Sequence, residues 1–139
     1  MRFEDFMGLG QVRKSSRNEN LARSLLKETE KDLEFFNTLS VSNSSARKLV
    51  TNYYDFLRSI LEAITALDGY KVYSHEAFTY YLKEKGEDIL SKKFDRFRLI
   101  RNRVNYYGES VEVEEAKELI DDIKKVISIL IEKYLGELK

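Results

Sequence analysis

LVTNYYDFLRSILEAITAL, residues 49–67, decides the fold class of this chain. Leu49, Val50, Tyr53, Leu57, Ile60, Leu61, Ile64 and Leu67 recur at steps of three and four, so they form one stripe of an α-helix and do not follow the two-residue period of a half-buried strand. The polar run SVSNSS at 40–45 supplies a turn before the stripe, with Asn43 or Ser44 as its N-cap, and Gly69 supplies a stop after it. A helix with so continuous an apolar face needs partners, and the rest of the sequence provides them.

Upstream, Ser16 followed three residues later by Glu19 reads as a capping box, and Leu21, Leu25, Leu26, Leu33 and Phe36 carry helical spacing to about residue 39. Downstream, Ser74 caps a short helix that runs through Tyr81 to about Lys85 and stops at Gly86. Ile89, Leu90, Phe97, Ile100 and Val104 define a fourth helix closing near Gly108, and Ala116, Leu119, Ile120, Ile123, Val126, Ile127 and Leu130 line a last helix from about Val113 to Leu135. Proline is absent, and no alternating stretch is long enough to form a substantial strand. Short connections between long amphipathic helices favour antiparallel neighbours. The expected fold is all-α, an up-and-down antiparallel four-helix bundle with an additional short helix, over residues 16–139. Residues 1–15, which include Gly8 and Gly10, are expected to form a flexible N-terminal arm.

Composition narrows the chemistry. At 139 residues the chain fits one domain, and its 24 basic and 24 acidic residues balance, which argues against disorder driven by charge repulsion. The absence of cysteine removes disulfides, thiolate nucleophiles and thiolate metal sites, and the one histidine, His75, excludes a zinc site built on two histidines of one chain. No signal peptide is read at the start, and no segment approaches the roughly 18 apolar residues of a membrane span, so a soluble, cytoplasmic protein with no membrane partner is expected. Glu114, Glu118 and Asp121 share a helical face, but acids early in a helix commonly complement its dipole, so neither a metal nor a cofactor is expected. Gly8-Leu9-Gly10 lacks the preceding strand and the further glycines of a phosphate-binding loop.

The residues that carry chemistry lie at 98–108, RLIRNRVNYYG. On the fourth helix Phe97, Ile100 and Val104 turn toward the core, while Arg98, Arg101 and Asn105 gather on the flank about one turn apart. Arginine presents five donors in a fixed fork that suits phosphate, and asparagine both donates and accepts, so the three can hold a phosphodiester or a nucleotide phosphate. The competing structural role pairs Arg101 with a carboxylate of the last helix and has Asn105 cap the fourth helix. Lys92, Lys93, Arg96, Arg98, Arg101 and Arg103 stand against Asp95 alone and can attract an RNA backbone. The acidic run Glu109, Glu112, Glu114, Glu115, Glu118, Asp121 and Asp122 can equally neutralise them, within the bundle or across a dimer. His75, just after Ser74, reads as a surface or capping residue, although its pKa near neutrality leaves a contribution to the Arg101 site open. The tyrosine pairs at 53–54, 80–81 and 106–107 offer stacking surfaces, and core packing explains the first pair better.

The same segment resembles the signature of the HEPN family, small helical-bundle proteins often encoded beside minimal nucleotidyltransferases. That signature is an arginine, usually followed by a polar residue, with a histidine four to six residues on. Arg101 and Asn102 match its first half, whereas Asn105 and Tyr106 stand where the histidine would fall. This is similar to a variant subgroup with arginine, three residues, an acid or amide, and then tyrosine. The resemblance covers about residues 20–135, including Tyr53, Tyr54 and the glutamate-rich opening of the last helix.

The resemblance implies a homodimer whose interface cleft is lined by Arg101, Asn102, Asn105 and Tyr106, in a toxin–antitoxin type module with a minimal nucleotidyltransferase as partner. The ligand-binding set becomes Arg98, Arg101, Asn102, Asn105, Tyr106 and Tyr107, for a nucleotide, an RNA end or the partner enzyme. In modules of this kind a motif tyrosine receives a nucleotidyl group, which would point to Tyr106 or Tyr107. Active family members cleave RNA without metal through arginine and histidine, and here only Arg101 and Tyr106 remain as catalytic candidates for a metal-independent endoribonuclease. Asparagine cannot accept the proton, and a phenol with a pKa of about 10 is a poor base at neutral pH. A purely structural helical interaction module is the third reading.

Overall fold

The computed structural model describes residues 1–139. In chain order its elements are α1 (Asp5–Gly8), β1 (Val12–Lys14), α2 (Glu19–Phe36), α3 (Ala46–Leu67), β2 (Tyr70–Val72), α4 (His75–Glu84), α5 (Asp88–Tyr107) and α6 (Val113–Tyr134), with a 3-10 turn at Gly136–Leu138. The fold is all-α apart from the two three-residue strands, and no helix is long and apolar enough to cross a membrane.

The stripe at 49–67 becomes α3, and 13 of that helix's 22 residues are buried because α2, α5 and α6 all pack on it. Chain directions alternate along the four long helices. At one end of the α2–α3 pair, the Asn18 amide at the head of α2 donates to the Ala66 carbonyl at the tail of α3. At the other end Phe36 meets Tyr53 and Phe56 edge to face. Helix α5 runs against α3, with Phe94 stacked on Tyr54 at 5.6 Å between ring centres. Helix α6 runs against α5, since Lys133 and Tyr134 near its tail reach Glu87 at the head of α5 and Lys93 reaches Asp122. Aromatic rings make much of this core, and their edge-to-face arrangement adds to what burial alone contributes.

The helix caps differ from those read in the sequence. Asn18, one residue before α2, accepts from the Leu21 amide at 3.0 Å, so the Ser16–Glu19 capping box does not form. The residue preceding α3 is Ser45, in place of Asn43 or Ser44; its hydroxyl oxygen accepts from the Ser42 amide and orders the 40–45 turn. Asn105 makes no cap. Helix α5 ends instead at Gly108, whose left-handed backbone (φ 65°) turns its amide onto the Arg103 carbonyl.

The expected N-terminal arm is folded onto the bundle. Phe3, Phe6 and Val12 are buried, Phe3 packing edge-on against Tyr70 and Tyr81, and β1 pairs antiparallel with β2 with Val12 opposite Val72. Burying two phenylalanines stabilises the docked state by about 1.5–3 kcal/mol each, and buried Val12 and the β1–β2 pairing add to it.

Candidate functional site

Arg98 and Arg101 fall on successive turns of α5 and lean over the flank of α3 toward the first residues of α4. Their side chains are only 14% and 18% exposed. For Arg98 the reason is two carboxylates: Nη2 lies 2.8 Å from Asp95 Oδ1, Nε donates to the same oxygen, and Glu76 stands 3.7 Å away. Asp95 also accepts from the Thr79 hydroxyl, which ties this pair to α4.

Arg101 is held differently. Its guanidinium lies over the Tyr54 ring at 5.6 Å and the Tyr106 ring at 6.0 Å, two cation–π contacts drawn from two helices. The nearest carboxylate is Asp55 on α3, at 3.9 Å, and not a residue of the last helix as the structural reading expected. Arg101 Nε is buried with no hydrogen-bond partner. A buried guanidinium donor left unpaired is costly unless something accepts from that side chain.

Beneath it, Tyr54 and His75 make one unit. The Tyr54 hydroxyl lies 3.1 Å from His75 Nδ1. Burial pushes the Tyr54 phenol far above its ordinary range, against the pull of Arg101, Arg98 and Arg58, so the hydroxyl keeps its proton. In the neutral tautomer that carries its hydrogen on Nε2, Nδ1 accepts from that hydroxyl. Burial, together with the positive charges of Arg58, Arg101 and Arg98, lowers the His75 pKa to about 4. The ring is therefore neutral at pH 7. His75 is thus neither a surface nor a capping residue: it is half-buried against the Arg101 site.

The remaining expected site residues separate by exposure. Asn102 is half-buried on α5, and Asn105 is exposed with no side-chain partner. Tyr106 and Tyr107 are 71% and 79% exposed, Tyr106 roofing Arg101 and Tyr107 reaching into solvent. Of the other tyrosine pairs, Tyr53 and Tyr54 are core residues, and Tyr81 is buried with its hydroxyl on Asp68. The two charge runs meet through Asp122, 2.7 Å from Lys93 and 3.9 Å from Arg96, and through Arg103 and Glu109 at 3.2 Å. Glu114 pairs locally with Lys117, so most of the acidic run does not reach α5. Glu114, Glu118 and Asp121 form no metal-ligating group.

Sequence reading missed Tyr54, Asp55, Arg58 and Glu76 as parts of this site. One signal for them existed: Arg58 is the only basic residue within 49–67, and it sits one turn from Tyr54 and Asp55. Beside Arg98 a polar cleft of 560 Å³ opens between α4 and α5, lined by Glu76, Thr79, Tyr80, Lys92 and Asp95 among others. That volume lies within the roughly 300–1,000 Å³ of small-molecule sites. A larger cleft of 670 Å³ runs between α2 and α6 over Leu33, Ile127 and Ile131, but Glu30, Glu34 and Glu132 line it and no arginine or aromatic ring does. Compared with known proteins, the chain matches no family model, no curated protein and no solved structure.

Proposed function

We propose that this chain is a HEPN-like subunit that binds a phosphate-bearing ligand, an RNA end or a nucleotide, through Arg101 and Arg98, as the partner of a minimal nucleotidyltransferase in a toxin–antitoxin type module. The observation that carries the reading is Arg101, a guanidinium over the rings of Tyr54 and Tyr106, with a buried unpaired Nε and its one carboxylate 3.9 Å away. Such a group is preorganised and has donors to give, and a bidentate phosphate is the acceptor its fork fits. The 560 Å³ cleft that Arg98 lines is large enough for a nucleoside. In this reading a second copy of the chain covers the open side at Asn105 and Tyr106, and the exposed Tyr106 and Tyr107 are the positions the partner enzyme reaches.

His75 supports a second reading, a metal-independent endoribonuclease, because it puts a histidine next to Arg101 although none follows on α5. Binding stands ahead of cleavage because an imidazole with a pKa near 4 is a weak base at pH 7. The test is fluorescence anisotropy with a short 5′-phosphorylated RNA in excess chelator, with the RNA recovered and sized on a gel. Wild type is expected to bind and leave the RNA intact, and Arg101→Ala to bind about tenfold or more weakly while its helical circular dichroism stays that of the folded chain, since a hydrogen bond to a charged group contributes about 1.5–3 kcal/mol. Cleavage by wild type that disappears in Arg101→Ala would establish the ribonuclease. Equal binding by wild type, Arg101→Ala and Asn105→Ala would leave only a structural module.

A further inference from the structure

His75 is half-buried, makes no ion pair and has a single side-chain hydrogen bond, which occupies Nδ1 and leaves Nε2 free. It stands where three elements meet. From α3 it faces Tyr54 and Arg58; from α5, Arg98 and Arg101; and Glu76 follows it on α4. Each nearby carboxylate already answers an arginine: Glu62 lies 3.2 Å from Arg58, Asp95 2.8 Å from Arg98, Glu76 3.7 Å from Arg98 and Asp55 3.9 Å from Arg101. The imidazole is thus surrounded by guanidiniums and has no anion of its own.

We infer that His75 is a further anchor for the bound phosphate: Tyr54 fixes the ring through Nδ1, Nε2–H donates to a phosphate oxygen beside Arg98 and Arg101, and the ring takes up a proton as the anion arrives. This rests on the phosphate-binding reading above. The physical cause is reciprocal. The guanidiniums that discourage a proton on His75 are the groups the phosphate would neutralise, so the ligand removes the penalty and supplies a new partner for the charged ring. Protonation in turn converts Nδ1 to a donor, and the Tyr54 hydroxyl can rotate to accept from it without moving a heavy atom. Ligand affinity then rises as the pH falls toward the titration range of the liganded ring.

Because His75 is the only histidine, its ring Cε1–H resonance is unambiguous, and a pH titration by NMR reads it directly. The titration is run on the full chain alone, with inorganic phosphate, and with 5′-AMP. The free ring is expected to titrate near pH 4, and saturating 5′-AMP to raise the midpoint by roughly one to three pH units, the usual effect of an adjacent opposite charge. His75→Gln keeps a donor but cannot take the proton, so it is expected to bind 5′-AMP with an affinity that no longer rises between pH 7 and 5.5. The inference is overturned if wild type and His75→Gln bind alike at every pH, with no movement of the His75 midpoint, while Arg101→Ala loses binding. That outcome leaves the phosphate site standing. Absence of binding of either probe to wild type would instead overturn the phosphate reading and this inference together.

Discussion

Arg101 and His75 are held by the same ring: Tyr54 stacks under the guanidinium and hydrogen-bonds the imidazole. Substituting Tyr54 would therefore disturb both groups, whereas His75 can be probed alone. In the unfolded chain an imidazole titrates at about 6.5, and in the folded chain His75 titrates near 4. Between those values the unfolded state binds the extra proton, so His75 contributes stability above the window that is lost as pH falls from 6.5 to 4. The comparison with a variant isolates the contribution of the histidine. Thermal melts at pH 7 and 4.5 are expected to show a larger drop in melting temperature for wild type than for His75→Gln. Equal drops would mean that the ring is as well solvated folded as unfolded.

At the scale of elements, two left-handed glycines make contrasting predictions. Gly108 closes α5 below Tyr106 and Tyr107 with open space where a Cβ would project, so Gly108→Ala is expected to cost only the backbone term, about 1–2 kcal/mol. Gly69, at φ 85°, turns the tail of α3 into β2, and a Cβ there would meet the Ser15 carbonyl at 2.9 Å. Ser15 also donates its amide to the Gly69 carbonyl, so Gly69→Ala strains the backbone and pushes the N-terminal strand away. Chemical denaturation is expected to rank Gly69→Ala as clearly the more damaging. The elements themselves were legible because each long helix carries its own apolar period. The β1–β2 ladder was not, because Val12-Arg13-Lys14 has one apolar residue and its partner lies far along the chain at Val72. Docking of the N-terminus was hinted only by Phe3 and Phe6, three residues apart. The site was legible to the same local extent: Arg98 and Arg101 share one helix face, but Tyr54 and His75 arrive from other helices, and no spacing in the sequence announces that meeting.

Across the whole molecule the charges cancel, 24 against 24, so attraction of an anion is a local property of one seam and not of the overall field. At a pH where His75 stays neutral, the cations around the proposed phosphate position are Arg58, Arg98 and Arg101. Neutralisation by at most three cations corresponds to a log–log salt slope no steeper than about −2 for single-stranded RNA. A markedly steeper slope would show that Lys92, Arg96 and Arg103 on the exposed face of α5 bind the backbone as well. The most direct test of the central claim is an amide and arginine Nε–H NMR titration of the unlabelled-ligand type, with 5′-AMP added to isotope-labelled protein. The largest shifts are expected at Arg101 Nε–H, Arg98 Nε–H and the amides around Tyr54 and His75. Shifts confined to the α2–α6 cleft around Leu33, Ile127 and Ile131, with Arg101 unmoved, would contradict the account.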